Sequence, residues 1–261
     1  MAEAFYERDG SRWLSTELTR GPWDPGAQHA GPPAALLGGE IERTLGEGFQ
    51  VARVTFEILR GVPIAPLFAE ASVVRPGRRV QMVTGSLSDG DGELIRATAW
   101  GIRTAPLHLP AAAQAGEDRV PGPEQGTARE FFPTGEDVGY HTAMEYRFLR
   151  GAFREPGPAT VWMRMRYPLL AGEAPSPLQR TLIAADSGNG VSAALDWRRF
   201  LFINVDLTVQ LERLPEGEWV CLDAVTRPQP HGVGSSDTVL RDRRGRIGRA
   251  LQTLLVSERE G

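Results

Sequence analysis

The sequence predicts an α+β fold built from two tandem copies of one unit, a helix followed by an antiparallel meander of strands. Three observations carry this. Strand-like apolar runs follow a helix-like segment in both halves, and the turns between them are too short for crossover helices. The halves also align: "VTFEILRGVP…ASVVRPG…GSLSDGDGELIRATAW" lies over "VDLTVQLERLP…DAVTRPQ…SSDTVLRDRRGRIGRALQT". Val54 then falls on Val205, Arg75-Pro76 on Arg227-Pro228, Gly92 on Gly245 and Arg96-Ala97 on Arg249-Ala250, separations of 151 to 153 residues.

After a polar entry, "RGPWDPGAQHAG" reads as a loop ending near Gly31. A helix opens with Pro32 and Pro33 in its first turn and closes around Gly46 to Gly48. Gly38 and Gly39 weaken it in isolation but permit close approach of another backbone. Four strands follow, "QVARVTFEIL", "LFAEASVVR", "RRVQMVTGSLS" and "ELIRATAWGI", the last two joined by the hairpin signal "DGDG". From Thr104 to about Val138 the chain is rich in Pro, Gly, Ala and acids and has neither structural period, which predicts a linker. The second half supplies "MEYRFLRGAF", "ATVWMRMRYPL", a helix from about Ser176 to Ser187, then "FLFINVDLTVQLE" as one strand, "EWVCLDAVTR", "GVGSSDTVLRD" and "RIGRALQTLLV". The domain expectation is residues 1–104, a linker 105–138, and residues 139–261.

Composition narrows the function classes. With 29 basic and 33 acidic residues the net charge is −4, and no basic-aromatic stripe is present, which argues against a nucleic-acid partner. The single cysteine, Cys221, excludes an internal disulfide framework and sits in an apolar strand pattern that predicts a buried core residue. The four histidines have no metal-ligand spacing and the glycine-rich stretches lack the frame of a nucleotide loop, so no metal and no cofactor are expected. A charged start and the lack of an eighteen-residue apolar run predict a cytoplasmic protein without a membrane span.

The acid in "QRTLIAADSGNG" stands out. Ser176 and Gln179 form a capping box, and Leu178, Leu182 and Asp186 then share one helical face. A carboxylate there, at the negative end of the helix dipole, is expected to have its charge disfavoured and to suit general-base chemistry, unless it simply bonds the following loop. Gln252 alternates with Ala250, Leu254 and Val256, while Ile247, Leu251 and Leu255 take the other face, predicting a strand buried on both sides. Its amide needs partners and could orient a water or serve structure alone. The matching place in the first half is Ala99. Ala30 and Gly31, at the first helix N-terminus, are candidate backbone donors to developing negative charge, and His29 could orient a substrate or be structural. Ser187 lacks the sharp-turn frame of a nucleophile, and Arg75, Arg78 and Arg79 read as a solvated charged face.

A helix and meander present twice, with "HAGPPAALLGG" opening the first helix and "AADSGNG" closing the second, resembles the double hotdog acyl-CoA thioesterases of the bacterial thioesterase II type. That resemblance implies two tandem hotdog repeats, each a central helix wrapped by a curved antiparallel sheet, with an acyl-thioester site between them. It implies hydrolysis of acyl-CoA or carrier-bound acyl chains by a water that an Asp, a hydroxyl and a Gln hold. Asp186 and Gln252 match the first and last. At the hydroxyl position the chain has Asn204, which can bond a water but not through one rotatable oxygen; Thr208, four residues on, is the alternative from a shifted register. Homo-oligomers are common among paired sheets with open edges. The competing readings are a hotdog hydratase or dehydratase, whose chemistry normally needs a positioned His with an acid while neither predicted helix carries a histidine, and a non-catalytic acyl-thioester binder, to which Asn204 points.

Overall fold

A computed structural model of the chain describes residues 2–110, 113 and 118–259; part of the expected linker, 111–112 and 114–117, lies outside them. The described strands form one large antiparallel sheet with few helices. In chain order they are β1 (Tyr6–Asp9), β2 (Arg12–Ser15), β3 (Phe49–Ile58), β4 (Pro66–Arg75), β5 (Val80–Asp89), β6 (Gly92–Arg103), β7 (Met144–Ala152), β8 (Glu155–Met165), β9 (Phe200–Asn204), β10 (Asp206–Leu211), β11 (Val220–Pro228), β12 (Val233–Asp242) and β13 (Gly245–Glu258). Their spatial order is β1-β2-β4-β5-β6-β3-β10-β13-β12-β11-β8-β7, with β9 also on β13. The polar entry thus contains two short strands, which extend the sheet beyond β4.

The helices are α1 (Gly31–Leu45), α2 (Tyr140–Ala143), α3 (Pro177–Ala185) and α4 (Gly188–Val191). The second predicted helix is therefore two pieces with Asp186 as the C-cap of α3. Its start is the expected box: Ser176 Oγ accepts from Gln179 N–H at 3.1 Å and Gln179 Oε1 accepts from Ser176 N–H at 2.8 Å. Leu36, Leu37 and Ile41 of α1 and Leu178 and Leu182 of α3 are buried against one face of the sheet.

The long helices also pack on each other, and the glycines act differently from expectation. At Gly38 the neighbour is the tip of the Leu182 side chain, whereas the close backbone approach is at Gly31, where an added Cβ would lie 2.5 Å from the Ile183 carbonyl oxygen. A leucine tip can rotate and a helix carbonyl cannot. Gly31→Ala is therefore expected to cost about 1–3 kcal/mol in denaturant unfolding, with Gly38→Ala costing less.

The two halves repeat in register. Thr55 pairs with Thr208, their hydroxyls 3.0 Å apart across a separation of 153 residues. The same offset relates the ladder Thr55–Thr98–Thr84–Ser72 to the ladder Thr208–Leu251–Asp237–Val225. Arg75 departs by one residue because β4 carries a bulge between Val73 and Arg75. Arg60 with Asp89 and Arg213 with Asp242 are a matching pair of clamps at the two β-hairpins.

Two strand expectations are corrected. "FLFINVDLTVQLE" is not one strand: Asn204 is opposite Leu254 while Thr208 is opposite Leu251, so one residue is inserted around Val205 and the alternation flips. Val205, proposed from sequence as the match of Val54, lies in this break. β13 is buried on one side only, since Leu251 and Leu255 are 42% and 46% exposed. The helices cover a single face of the sheet; on the other, residues 118–126 lie over part of the second half, where Trp162 and Cys221 are buried and Arg241 meets Asp118.

Candidate active site

The site lies where α1 begins and α3 ends. Its loop is held from several sides: Gln28 Oε1 accepts from the buried Tyr6 hydroxyl at 2.6 Å, Gln28 Nε2 donates to the Pro63 carbonyl at 2.7 Å, and His29 N–H donates to the Thr19 carbonyl at 2.8 Å. Burial pushes the Tyr6 phenol well above its ordinary range, so it stays a donor. The His29 ring stacks on Tyr140 with centroids 3.8 Å apart. Tyr140 Oη in turn donates to the Ile183 carbonyl at 2.6 Å and meets Ser187 Oγ at 2.9 Å. Its phenol is likewise raised by burial.

Asp186 is only 3% exposed, yet its surroundings are polar. Asn204 Nδ2 donates to Asp186 Oδ1 at 2.9 Å, Gln252 Nε2 reaches the same oxygen at 3.4 Å and the Asp186 carbonyl at 3.0 Å, and His29 Nδ1 lies 3.0 Å from Oδ2. The apolar helical face read from the sequence thus ends at a carboxylate ringed by donors. Gln252 is fixed from its other end too, its Oε1 accepting from Asn189 N–H at 3.0 Å. A neutral imidazole Nδ1 serves one role at a time: it donates to Asp186 or accepts from Gly31 N–H, 3.1 Å away.

The structure therefore brings together Asp186, Asn204, Gln252 and His29. It does not bring Thr208, whose hydroxyl pairs with Thr55 on the opposite face of the sheet. Ala30 lines the cavity described below, but Gly31 does not; its N–H meets His29. Ser187, set aside as a nucleophile, is 4% exposed and bonded to Tyr140. The first half has Val83, Gly85 and Ala99 where the second has Ser236, Thr238 and Gln252, so the polar inner face exists once.

Asp186, Asn204 and His29 open on a cavity of about 450 Å³, within the ordinary range for small-molecule sites. Its walls are strongly aromatic: eight of the chain's twenty aromatic residues line it. Trp23, Phe132 and Trp197 form a near-parallel stack, with centroid distances of 5.7 and 5.0 Å. Phe131 and Phe132 come from the segment expected to be a linker, which also ties itself to the second half when Trp162 Nε1 donates to the Pro121 carbonyl at 2.7 Å. Sequence reading missed these two wall residues and Tyr140; the paired apolar "FF" in an otherwise polar segment was the available signal. Among the described residues, no helix is long and apolar enough to cross a membrane.

Comparison with known proteins bears on this arrangement. A model of the acyl-CoA thioesterase N-terminal domain matches residues 19–102, and one of the acyl-CoA thioesterase C-terminal domain matches residues 117–256. No curated protein matches in sequence. Among solved structures, a protein provisionally assigned as thioesterase II from Thermobifida fusca YX is 18% identical with a TM-score of 0.75, over 96% of this chain and 95% of that one. A conserved protein with hot dog fold from Alicyclobacillus acidocaldarius is 18% identical with a TM-score of 0.72, over 98% and 96%. The acyl-CoA thioesterase II TesB2 of Mycobacterium marinum is 14% identical with a TM-score of 0.66, over 98% and 95%. At such identities these likenesses establish a hotdog fold, and it is the two domain models, spanning most of the chain in the right order, that carry descent. The chain belongs to the acyl-CoA thioesterase family.

Proposed function

We propose that this chain is a double hotdog enzyme that hydrolyses the thioester of an acyl-CoA or carrier-bound acyl chain, with residues 1–104 and 139–261 as the two hotdog units and 105–138 joining them. The constant 153-residue register supports the tandem reading. The observation that carries the activity is the convergence of Asn204 and Gln252 on the buried Asp186 carboxylate at the edge of an apolar cavity. Asp186 takes a proton from a water as its oxygen attacks the thioester carbonyl, and Asn204 and Gln252 hold that water and the carboxylate. The Ala30 N–H at the α1 N-terminus faces the developing oxyanion. Collapse breaks the C–S bond and returns the proton to the leaving thiolate, giving a carboxylic acid and a thiol.

Gln252→Ala is expected to lower kcat for thiol release by ~10²-fold, because it removes a fixed donor and frees the Asn189 N–H it held. Release of free thiol from a panel of short, medium, long and aromatic acyl-CoAs by wild type and by this variant is the test. Wild-type turnover absent on every member, with acyl-pantetheine and acyl-carrier substrates also inert, overturns the reading. One observation favours a second: His29 beside Asp186 supplies the His and acid that a hydratase requires. Water added across an enoyl thioester without thiol release would put that reading first.

A further inference from the structure

The cavity on which Asp186, Asn204 and His29 open is bounded in part by Phe153, Ala193 and Trp197, and the same residues line a second groove of about 350 Å³. The two spaces are thus separated by a wall one side chain thick. Beyond that wall Pro133, Pro156 and Leu195 give the groove an apolar lining, and the exposed Arg154, Asp196 and Arg198 edge it.

The wall is backed by the strap 128–139. Between Thr127, bonded to Phe148, and Tyr140, whose N–H donates to the Arg20 carbonyl, no backbone–backbone hydrogen bond ties this strap to the body among the described residues. Side chains hold it instead, Arg154 donating to the Phe131 carbonyl at 3.1 Å and Arg20 to the Val138 carbonyl at 2.9 Å. From the strap, Phe132 stacks on Trp197 with centroids 5.0 Å apart, and Phe131 meets Phe153 at 4.5 Å. Each ring of the wall therefore has a ring of the strap against it. Trp197 also stands in an ordered turn: the Asp196 carbonyl accepts from the N–H groups of Arg199 and Phe200 at 3.0 Å, and Asp196 Oδ1 accepts from Arg198 N–H at 2.9 Å.

An added methylene strengthens binding only while apolar walls take it from water, and a tail driven into a packed indole has to turn back or force the wall aside. We propose that Trp197, held by Phe132, is the stop for the acyl tail, so that the enzyme selects acyl groups that end at this wall over long linear ones. This rests on the acyl-thioester reading and adds to it the residue that sets the length limit. The groove behind the wall stays outside the acyl site for as long as the indole is in place.

Thiol release from the straight series of hexanoyl- through palmitoyl-CoA gives the length profile. Calorimetric binding of the matching S-alkyl-CoA thioethers, which have no carbonyl to attack, gives it without turnover. Wild type is expected to show a maximum inside the series by both measures. Trp197→Ala joins cavity to groove and should raise kcat/KM for palmitoyl- relative to octanoyl-CoA by ~10-fold or more. Leu195→Trp fills the groove from beyond the wall. Alone it should leave the profile unchanged, and combined with Trp197→Ala it should cancel the gain, which a mere loosening of the fold would not allow. Phe132→Ala should shift the profile in the same direction but less far. A wild-type profile that rises without a maximum through palmitoyl overturns the proposal. So does the wild-type profile in a Trp197→Ala protein that unfolds in denaturant as a folded chain should, or a gain that Leu195→Trp fails to cancel. A length maximum in thioether binding by a protein inert on every thioester sinks the hydrolase reading and leaves the stop standing.

Discussion

Asp186→Asn is expected to lower thioester hydrolysis by ~10³-fold or more while the protein stays folded, because the amide cannot take the proton of an attacking water. The substitution is nearly isosteric, and the site can absorb it. The new side-chain oxygen can still accept from Asn204 Nδ2 and Gln252 Nε2, and the new NH₂ can donate to His29 Nδ1. Unfolding midpoints should therefore differ little, with CoA affinity within about twofold of wild type, and the loss should lie in kcat rather than KM. A variant that keeps more than about a tenth of wild-type turnover would move the base elsewhere, with His29 next in line by distance. Measuring His29→Gln in parallel separates the two, since it removes the imidazole and leaves the carboxylate in place.

The largest stability effect is expected at the other aspartate clamp. Asp242 has no exposed side-chain surface, is gripped by both terminal nitrogens of Arg213 at 2.5 Å, and accepts from the N–H groups of Glu216 at 2.9 Å and Arg244 at 2.8 Å. Burial alone would raise its carboxyl; the guanidinium and the two backbone donors outweigh that and hold it below the usual range. Asp242→Asn leaves Arg213 without its counter-charge and should cost about 3 kcal/mol. The matching Asp89 bonds the same kind of turn but meets Arg60 at 3.3 Å near the surface, so Asp89→Asn should cost about 1 kcal/mol. Because the folded-state Asp242 carboxyl is depressed, its contribution is complete above the unfolded value of about 4 and is lost as pH falls through the folded value. The gap between wild type and Asp242→Asn in urea unfolding should thus be full at pH 7 and close below pH 4. A gap that stayed constant with pH would show that the clamp acts by shape and not by charge.

Much of this was legible in the chain. The capping box at Ser176, the prolines opening α1, the hairpin signals and the repeat are local patterns, and local patterns survive tertiary packing. Asp186 stands out as a polar side chain on an apolar helical face, and the resemblance to the thioesterases singles out both it and Gln252. What was not legible depends on single-residue register or on long reach. One inserted residue near Val205 put Asn204 inside and Thr208 outside, and no composition signal distinguishes that break from a continuous strand. The exposure of Leu251 and Leu255 depends on which sheet face the helices take. His29 resting on Tyr140 joins positions more than a hundred residues apart. Phe131 and Phe132 belong to no period and acquire their role only when the segment folds over the second half.

The lone thiol offers a clock for the whole fold. Cys221 is fully buried in β11 between β8 and β12, and burial pushes its thiol up to about 12. It is silent toward disulfide reagents while the sheet is closed, so colour developed in a thiol-release assay belongs to product even at high protein concentration. The same silence ends when those three strands part. With no added label, the slow rate at which reagent captures Cys221 in native buffer then reports how often the centre of the second half opens, and a ligand that closes the site should slow it in proportion to the fraction bound.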